Sequence, residues 1–176
     1  MYASRAGEKL AHALIKYNID VKDLVCADLG CSTGGFTSCL LINGANKVYA
    51  VDTGYGVLDY QLRIDPRVIV KERTNALFVT LPEKVDFICI DVGWTPQHLI
   101  LPHALSLIKP GGMIISLLKP HYESKIAHVS PEKAEEIANE VLVKLASQNI
   151  QVKQMIKSPI LGEKAANTEY LLLLTS

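Results

Sequence analysis

The segment Ala27-Asp28-Leu29-Gly30-Cys31-Ser32-Thr33-Gly34-Gly35-Phe36 sets an acid and three glycines where a short apolar run turns into a helical pattern. Gly30 permits a tight turn because it has no Cβ, and Gly34 with Gly35 lets a helix N-terminus and a ligand approach the backbone. The spacing departs from GxGxxG, so a dinucleotide pyrophosphate fits poorly. A carboxylate ahead of the glycines would repel a diphosphate and suits a cationic, amine-bearing ligand. Asp52 ends the next apolar run, at a position where an acid can accept both ribose hydroxyls of a nucleoside. These features read as an S-adenosylmethionine site. Asp28, Gly30, Ser32, Gly34, Gly35 and Phe36 would lie along the amino-acid part and Asp52 on the ribose. The Glu72-Arg73-Thr74-Asn75 segment, through Thr74 and Asn75, would flank the adenine. Three further polar residues stand at strand mouths: Asp91 after Val85–Ile90, Lys119 after Met113–Leu118, and Glu169 at the head of the last run. A lysine directly beyond a buried strand and near carboxylates points to a site, with plain ion pairing as the alternative.

The elements that must carry these residues alternate. Apolar runs at Leu24–Leu29, Lys47–Val51, Val68–Val70, Val85–Ile90, Met113–Leu118, Ile150–Ile156 and Glu169–Leu174 are interleaved with helical patterns. Continuous apolar runs suit strands buried on both faces, and alternation implies βαβ units. The last two runs lie too close together to enclose a helix, so they form an antiparallel hairpin. An α/β fold with a mostly parallel seven-stranded sheet, an antiparallel last strand and helices on both faces is expected. Ser130-Pro131-Glu132 marks a helix start. Behind it Ala134, Ile137, Ala138, Val141, Leu142 and Leu145 form a core stripe. An N-terminal helix over 4–17 buries Leu10, Ala13, Leu14 and Tyr17 and carries Arg5, Lys9, His12 and Lys16 on a second stripe, either a solvated face or a phosphate-facing edge.

The 176 residues suffice for one domain, with 49% hydrophobic and 20% charged residues. Disordered, collagen-like and low-complexity classes are thereby excluded. Lys plus Arg and Asp plus Glu are 18 each, which argues against a nonspecific polyanion binder but allows a local basic patch. No apolar run reaches the length of a membrane span and no apolar leader opens the chain, so a cytoplasmic protein is expected. Cys26, Cys31, Cys39 and Cys89 show no metal-ligand spacing and read as reduced structural thiols. The Pro120–Val129 stretch is a candidate lid, with His121 and His128 as exposed loop histidines.

Several segments together resemble the hemolysin A branch of FtsJ-type RNA methyltransferases. They are Ser4-Arg5-Ala6-Gly7-Glu8-Lys9-Leu10, the Asp28–Thr37 turn, Val51-Asp52-Thr53-Gly54-Tyr55-Gly56, Glu72-Arg73-Thr74-Asn75, Ile90-Asp91-Val92, Leu118-Lys119-Pro120 with Glu123, Ser158-Pro159-Ile160 and Asn167-Thr168-Glu169-Tyr170. The match runs over about residues 4 to 175. The resemblance implies a Rossmann-like methyltransferase fold and a Lys-Asp-Lys-Glu tetrad for ribose 2′-O-methylation, here Lys9, Asp91, Lys119 and Glu169. Asp91 also counts among the cofactor-side residues. Lys119 would take the hydroxyl proton, with its pKa lowered by the neighbouring Lys9 ammonium, and no metal is implied. RNA, in particular ribosomal RNA, is the implied partner, contacted by Arg5, Lys9, His12, Lys16 and Trp94.

Three departures from the family pattern accompany the match. Relatives carry a small RNA-binding domain in front, whereas 1–176 reads as a single catalytic domain. Gly93-Trp94 stands where Ser-Phe is common, so Trp94 either stacks on a base or fills the core. Ala165-Ala166 stands where a glycine is usual. Alternatives to an RNA methyltransferase are a small-molecule methyltransferase with a closed apolar pocket and a non-catalytic interaction protein.

Overall fold

The structure, a computed structural model, describes residues 1–162 and 166–176. In chain order the elements are α1 (Ala6–Lys16), β1 (Val25–Leu29), α2 (Gly35–Ile42), β2 (Lys47–Val51), α3 (Tyr60–Arg63), β3 (Val68–Lys71), β4 (Val85–Ile90), α4 (Gln97–Leu107), β5 (Ile108–Leu118), α5 (Pro120–Ser124), α6 (Pro131–Ser147), β6 (Gln154–Lys157) and β7 (Tyr170–Thr175). The seven strands make one sheet in the order β3-β2-β1-β4-β5-β7-β6. Neighbours from β3 through β5 are parallel, and β7 runs antiparallel to both β5 and β6. The reversed strand is therefore inserted one place in from the sheet edge.

Period-two geometry divides the apolar runs between two cores. Ala27 and Leu29 of β1, Tyr49 and Val51 of β2, and Ile88 and Ile90 of β4 pack on the face that also buries residues of α4 and α6. Cys26, Val48, Ala50, Phe87 and Cys89 pack on the opposite face with residues of α1 and α2. All four cysteines are free and buried. In α6 the Ser130 hydroxyl accepts from the Lys133 amide, Pro131 takes the first turn, and Ala134, Ile137, Ala138, Val141 and Leu145 are buried. Among the described residues no helix is long and apolar enough to cross a membrane.

Three expected elements have different limits. Ile150 does not begin a strand: its amide donates to the Leu145 carbonyl behind a left-handed Asn149, a helix-ending turn, and β6 starts only at Gln154. β5 begins at Ile108 rather than Met113, with a register shift opposite Val85 to Phe87. The Pro120–Val129 stretch opens as α5, because a proline at the first helical position ends the strand and starts a helix.

Candidate active site

The carboxyl ends of β1, β2, β4 and β5 open onto a cleft of about 530 Å³. The end beside β1 and β2, proposed below to take the methyl donor, is built mainly from backbone. Gly30 adopts φ 89°, and a Cβ there would lie 2.4 Å from the Asp91 carbonyl oxygen, so only glycine fits. Its amide and that of Cys31 donate to the Val51 carbonyl, locking the turn to the end of β2. Asp52 lines the cleft with both oxygens already oriented: Oδ2 accepts from the Ser32 amide at 2.8 Å and Oδ1 from the Gly54 amide at 2.7 Å. Each oxygen keeps a second lone pair for a diol. Gly30, Ser32, Gly35, Phe36, Asp52, Thr74 and Asn75 all line this end of the cleft.

Asp28 and Gly34 do not reach the cleft. Asp28 is wholly buried beneath the turn, where Oδ2 accepts from the Thr37 hydroxyl at 2.7 Å and Oδ1 has no partner among the described residues. Burial pushes its carboxyl up to about 7, with the Asp91 charge adding to the rise and the Thr37 hydrogen bond opposing it. Its place is the root of α2. Gly34 is the left-handed N-cap of α2, and a Cβ would strike the Leu62 side chain at 2.2 Å, so it serves packing. Glu72 also turns away, to Arg63 at 2.5 Å, and Arg73 stacks on the Tyr55 ring at 4.1 Å.

The acceptor end is built from side chains. Lys9 of α1 donates to Glu169 Oε2 at 2.6 Å, with both residues buried. Lys119, at the end of β5, stands 2.5 Å from Asp91 Oδ1 at the end of β4. All four line the cleft. The expected lowering of the Lys119 pKa is not found. Burial favours the neutral amine, but the charge and hydrogen bond of Asp91 and the charge of Glu169 outweigh it, so Lys119 is held above the usual lysine value.

Around these pairs lie three aromatic rings. Trp94 is 76% exposed with φ 61°, which excludes core filling. Its ring lies 4.6 Å from that of Tyr122, and Tyr122 lies 4.2 Å from His121. His121 corrects the expectation of an exposed loop histidine: α5 turns it inward, leaving it 8% exposed and lining the cleft. Only the histidine's sequence position, two residues beyond Lys119, hinted at this. The basic stripe of α1 also divides. Lys9 is buried in its ion pair and Arg5 reaches the cleft, donating to the Leu161 carbonyl at 3.2 Å. His12 and Lys16 lie outside the cleft lining. The reason is Gly7: a Cβ there would sit 2.8 Å from the Gly35 carbonyl, and this close crossing of α1 on α2 turns Lys9 toward the sheet. Of the Ala165-Ala166 pair, Ala165 lies outside the described residues.

The sequence matches the FtsJ-like methyltransferase family over residues 2–175. YqxC of Bacillus subtilis is 38% identical over 97% of this chain and 64% of its own length. The 16S/23S rRNA (cytidine-2′-O)-methyltransferase TlyA of Mycobacterium tuberculosis is 41% identical over 74% of this chain and 50% of its own. The chain thus spans about half to two thirds of these curated relatives. A hemolysin of Streptococcus thermophilus superposes with a TM-score of 0.92 at 34% identity, over 99% of this chain and 67% of that one. Matched by the family model over nearly its whole length, the chain belongs to the FtsJ-like methyltransferase family.

Proposed function

We propose that this protein transfers a methyl group from S-adenosylmethionine to a ribose 2′-hydroxyl of RNA, with ribosomal RNA as the substrate. The observation that carries this reading is the pair of tight lysine–carboxylate contacts, Lys9–Glu169 and Lys119–Asp91, in one cleft with the Asp52 diol site. Asp52 would accept the ribose hydroxyls of the methyl donor, and Thr74 and Asn75 would flank its adenine. The donor supplies an electrophilic sulfonium methyl. A hydroxyl is a weak nucleophile and needs a positioned base. Lys119 takes the hydroxyl proton once its own has been released, while Asp91 orients the amine. Lys9, fixed by Glu169, stabilises charge developing on the ribose oxygen. Trp94 offers an exposed ring for a nucleobase, and Arg5 a cationic contact for a phosphate.

Rim exposure favours this reading over a small-molecule methyltransferase, which would enclose its acceptor in an apolar pocket. Here the acceptor end is charged and edged by an exposed tryptophan. The test is tritiated-methyl transfer to ribosomal subunits and to free RNA, followed by nucleoside analysis. A labelled 2′-O-methylnucleoside is expected; label confined to a base, or to a small acceptor, refutes the assignment.

A further inference from the structure

His121 has no part in the tetrad, yet it is only 8% exposed and lines the same cleft. Its ring packs on Tyr122, whose own ring lies 5.5 Å from the Lys119 ammonium. Its Nδ1 is buried and has no hydrogen-bond partner among the described residues. The charged groups facing it are Lys9 from α1 and Lys119 from the end of β5, each already held by its carboxylate, Glu169 or Asp91. An imidazolium carries N–H on both ring nitrogens. Charging His121 would bury an N–H without an acceptor and add a third cation to a space that already holds two. Geometry therefore keeps the ring neutral. In agreement, burial first, and then the charges of Lys119 and Lys9, lower its pKa below the usual histidine value.

A site that takes a sulfonium next to two ammonium groups has little tolerance for another positive charge. We propose that His121 is a donor-discriminating residue of this cleft, a neutral imidazole wall whose protonation expels the cationic methyl donor while sparing the uncharged thioether product. This rests on the reading that the methyl is delivered beside Lys119. Donor and product share amino acid, ribose and adenine, so the ratio of their affinities isolates the charge on sulfur. Titration of the buried Asp28 within the same pH window would act equally on the wild type and on a His121 variant, so comparing the two proteins removes its contribution.

The test is calorimetric binding of S-adenosylmethionine and S-adenosylhomocysteine to the wild type and to His121→Gln, at about pH 7.5 and about pH 5.5, on either side of the ordinary histidine range. In the wild type the donor-to-product ratio of dissociation constants rises severalfold on acidification, toward the roughly tenfold limit set by a one-unit pKa difference. In His121→Gln it stays flat. A flat ratio in the wild type, or an equal rise in both proteins, overturns the assignment. Should the variant fail to fold, the His121 ring proton followed by NMR in the wild type decides. It titrates at lower pH with the donor bound than with the product bound, and identical titrations overturn the proposal. Absence of RNA methylation alongside a His121-dependent ratio would sink the ribose reading and leave this one standing.

Discussion

The two ends of the cleft are made differently. At the donor end, positions are set by main chain: Gly30 and Cys31 bond to the Val51 carbonyl, and the Ser32 and Gly54 amides orient Asp52. These contacts come from strand–turn–helix units that close on neighbouring parallel strands. At the acceptor end, four side chains from α1, β4, β5 and the residue preceding β7 meet as two ion pairs. A main-chain cradle binds whatever matches a fixed spacing of donors and acceptors. A side-chain cluster has its charge balance set by which elements pack together. The comparison predicts that substitutions at the side-chain end change the charge beside the methyl group and leave the main-chain cradle standing.

The sharpest break comes from Lys119→Ala, which removes the proposed proton acceptor. Methyl transfer falls by about 10²–10⁴-fold, the range for a positioned acid or base. Calorimetry shows donor affinity little changed; a parallel loss of affinity would mean the two ends are one unit. Glu169→Ala leaves the Lys9 ammonium buried without a counter-charge, which costs about 3–5 kcal/mol of folding stability. Its exposed counterpart Lys47–Glu83 is screened by solvent and contributes far less. Urea denaturation of Glu169→Ala against Glu83→Ala measures the contrast directly. From the other end, Asp52→Ala weakens donor binding by about 1–3 kcal/mol through unpaired ribose hydroxyls. An unchanged dissociation constant would remove Asp52 from the site. Trp94→Ala lowers RNA affinity by a similar amount, about 1–3 kcal/mol for a lost stack, and Trp94→Phe restores most of it in a filter-binding assay.

A pH profile sharpens the comparison with the smallest step. The Lys119 pKa is raised, so its ammonium dominates at neutral pH and the neutral amine grows as pH rises. kcat/KM should climb about tenfold per pH unit through the neutral range and level off only above the usual lysine value. A plateau near neutrality would assign the proton to another group.

Much of the donor end was legible because its information is local. An apolar run, a glycine turn and an acid at the next strand end are read within 25 residues of chain, counted from Asp28 through Asp52. Local pattern misled where side-chain direction mattered. Asp28 belongs to the same motif, yet strand alternation turns it away from the cleft and under the turn. His121 follows a strand end in a polar stretch that looks solvated, yet Pro120 starts a helix and burial follows. The α1 stripe has helical spacing, but Gly7 sets how closely α1 crosses α2, and so which of its cations face inward.

Sequence alone determined the alternation of strands and helices, the reversed final strand, the glycine turn and the identities of the four charged residues. These follow from periodicity, backbone sterics and matched motifs, which act over short stretches of chain. Tertiary structure alone decided that β7 inserts between β5 and β6, which brings Glu169 to Lys9 across 160 residues of chain. It also decided that two carboxylates outweigh burial at Lys119, because the protonation of a buried amine depends on the sum of every charge packed around it.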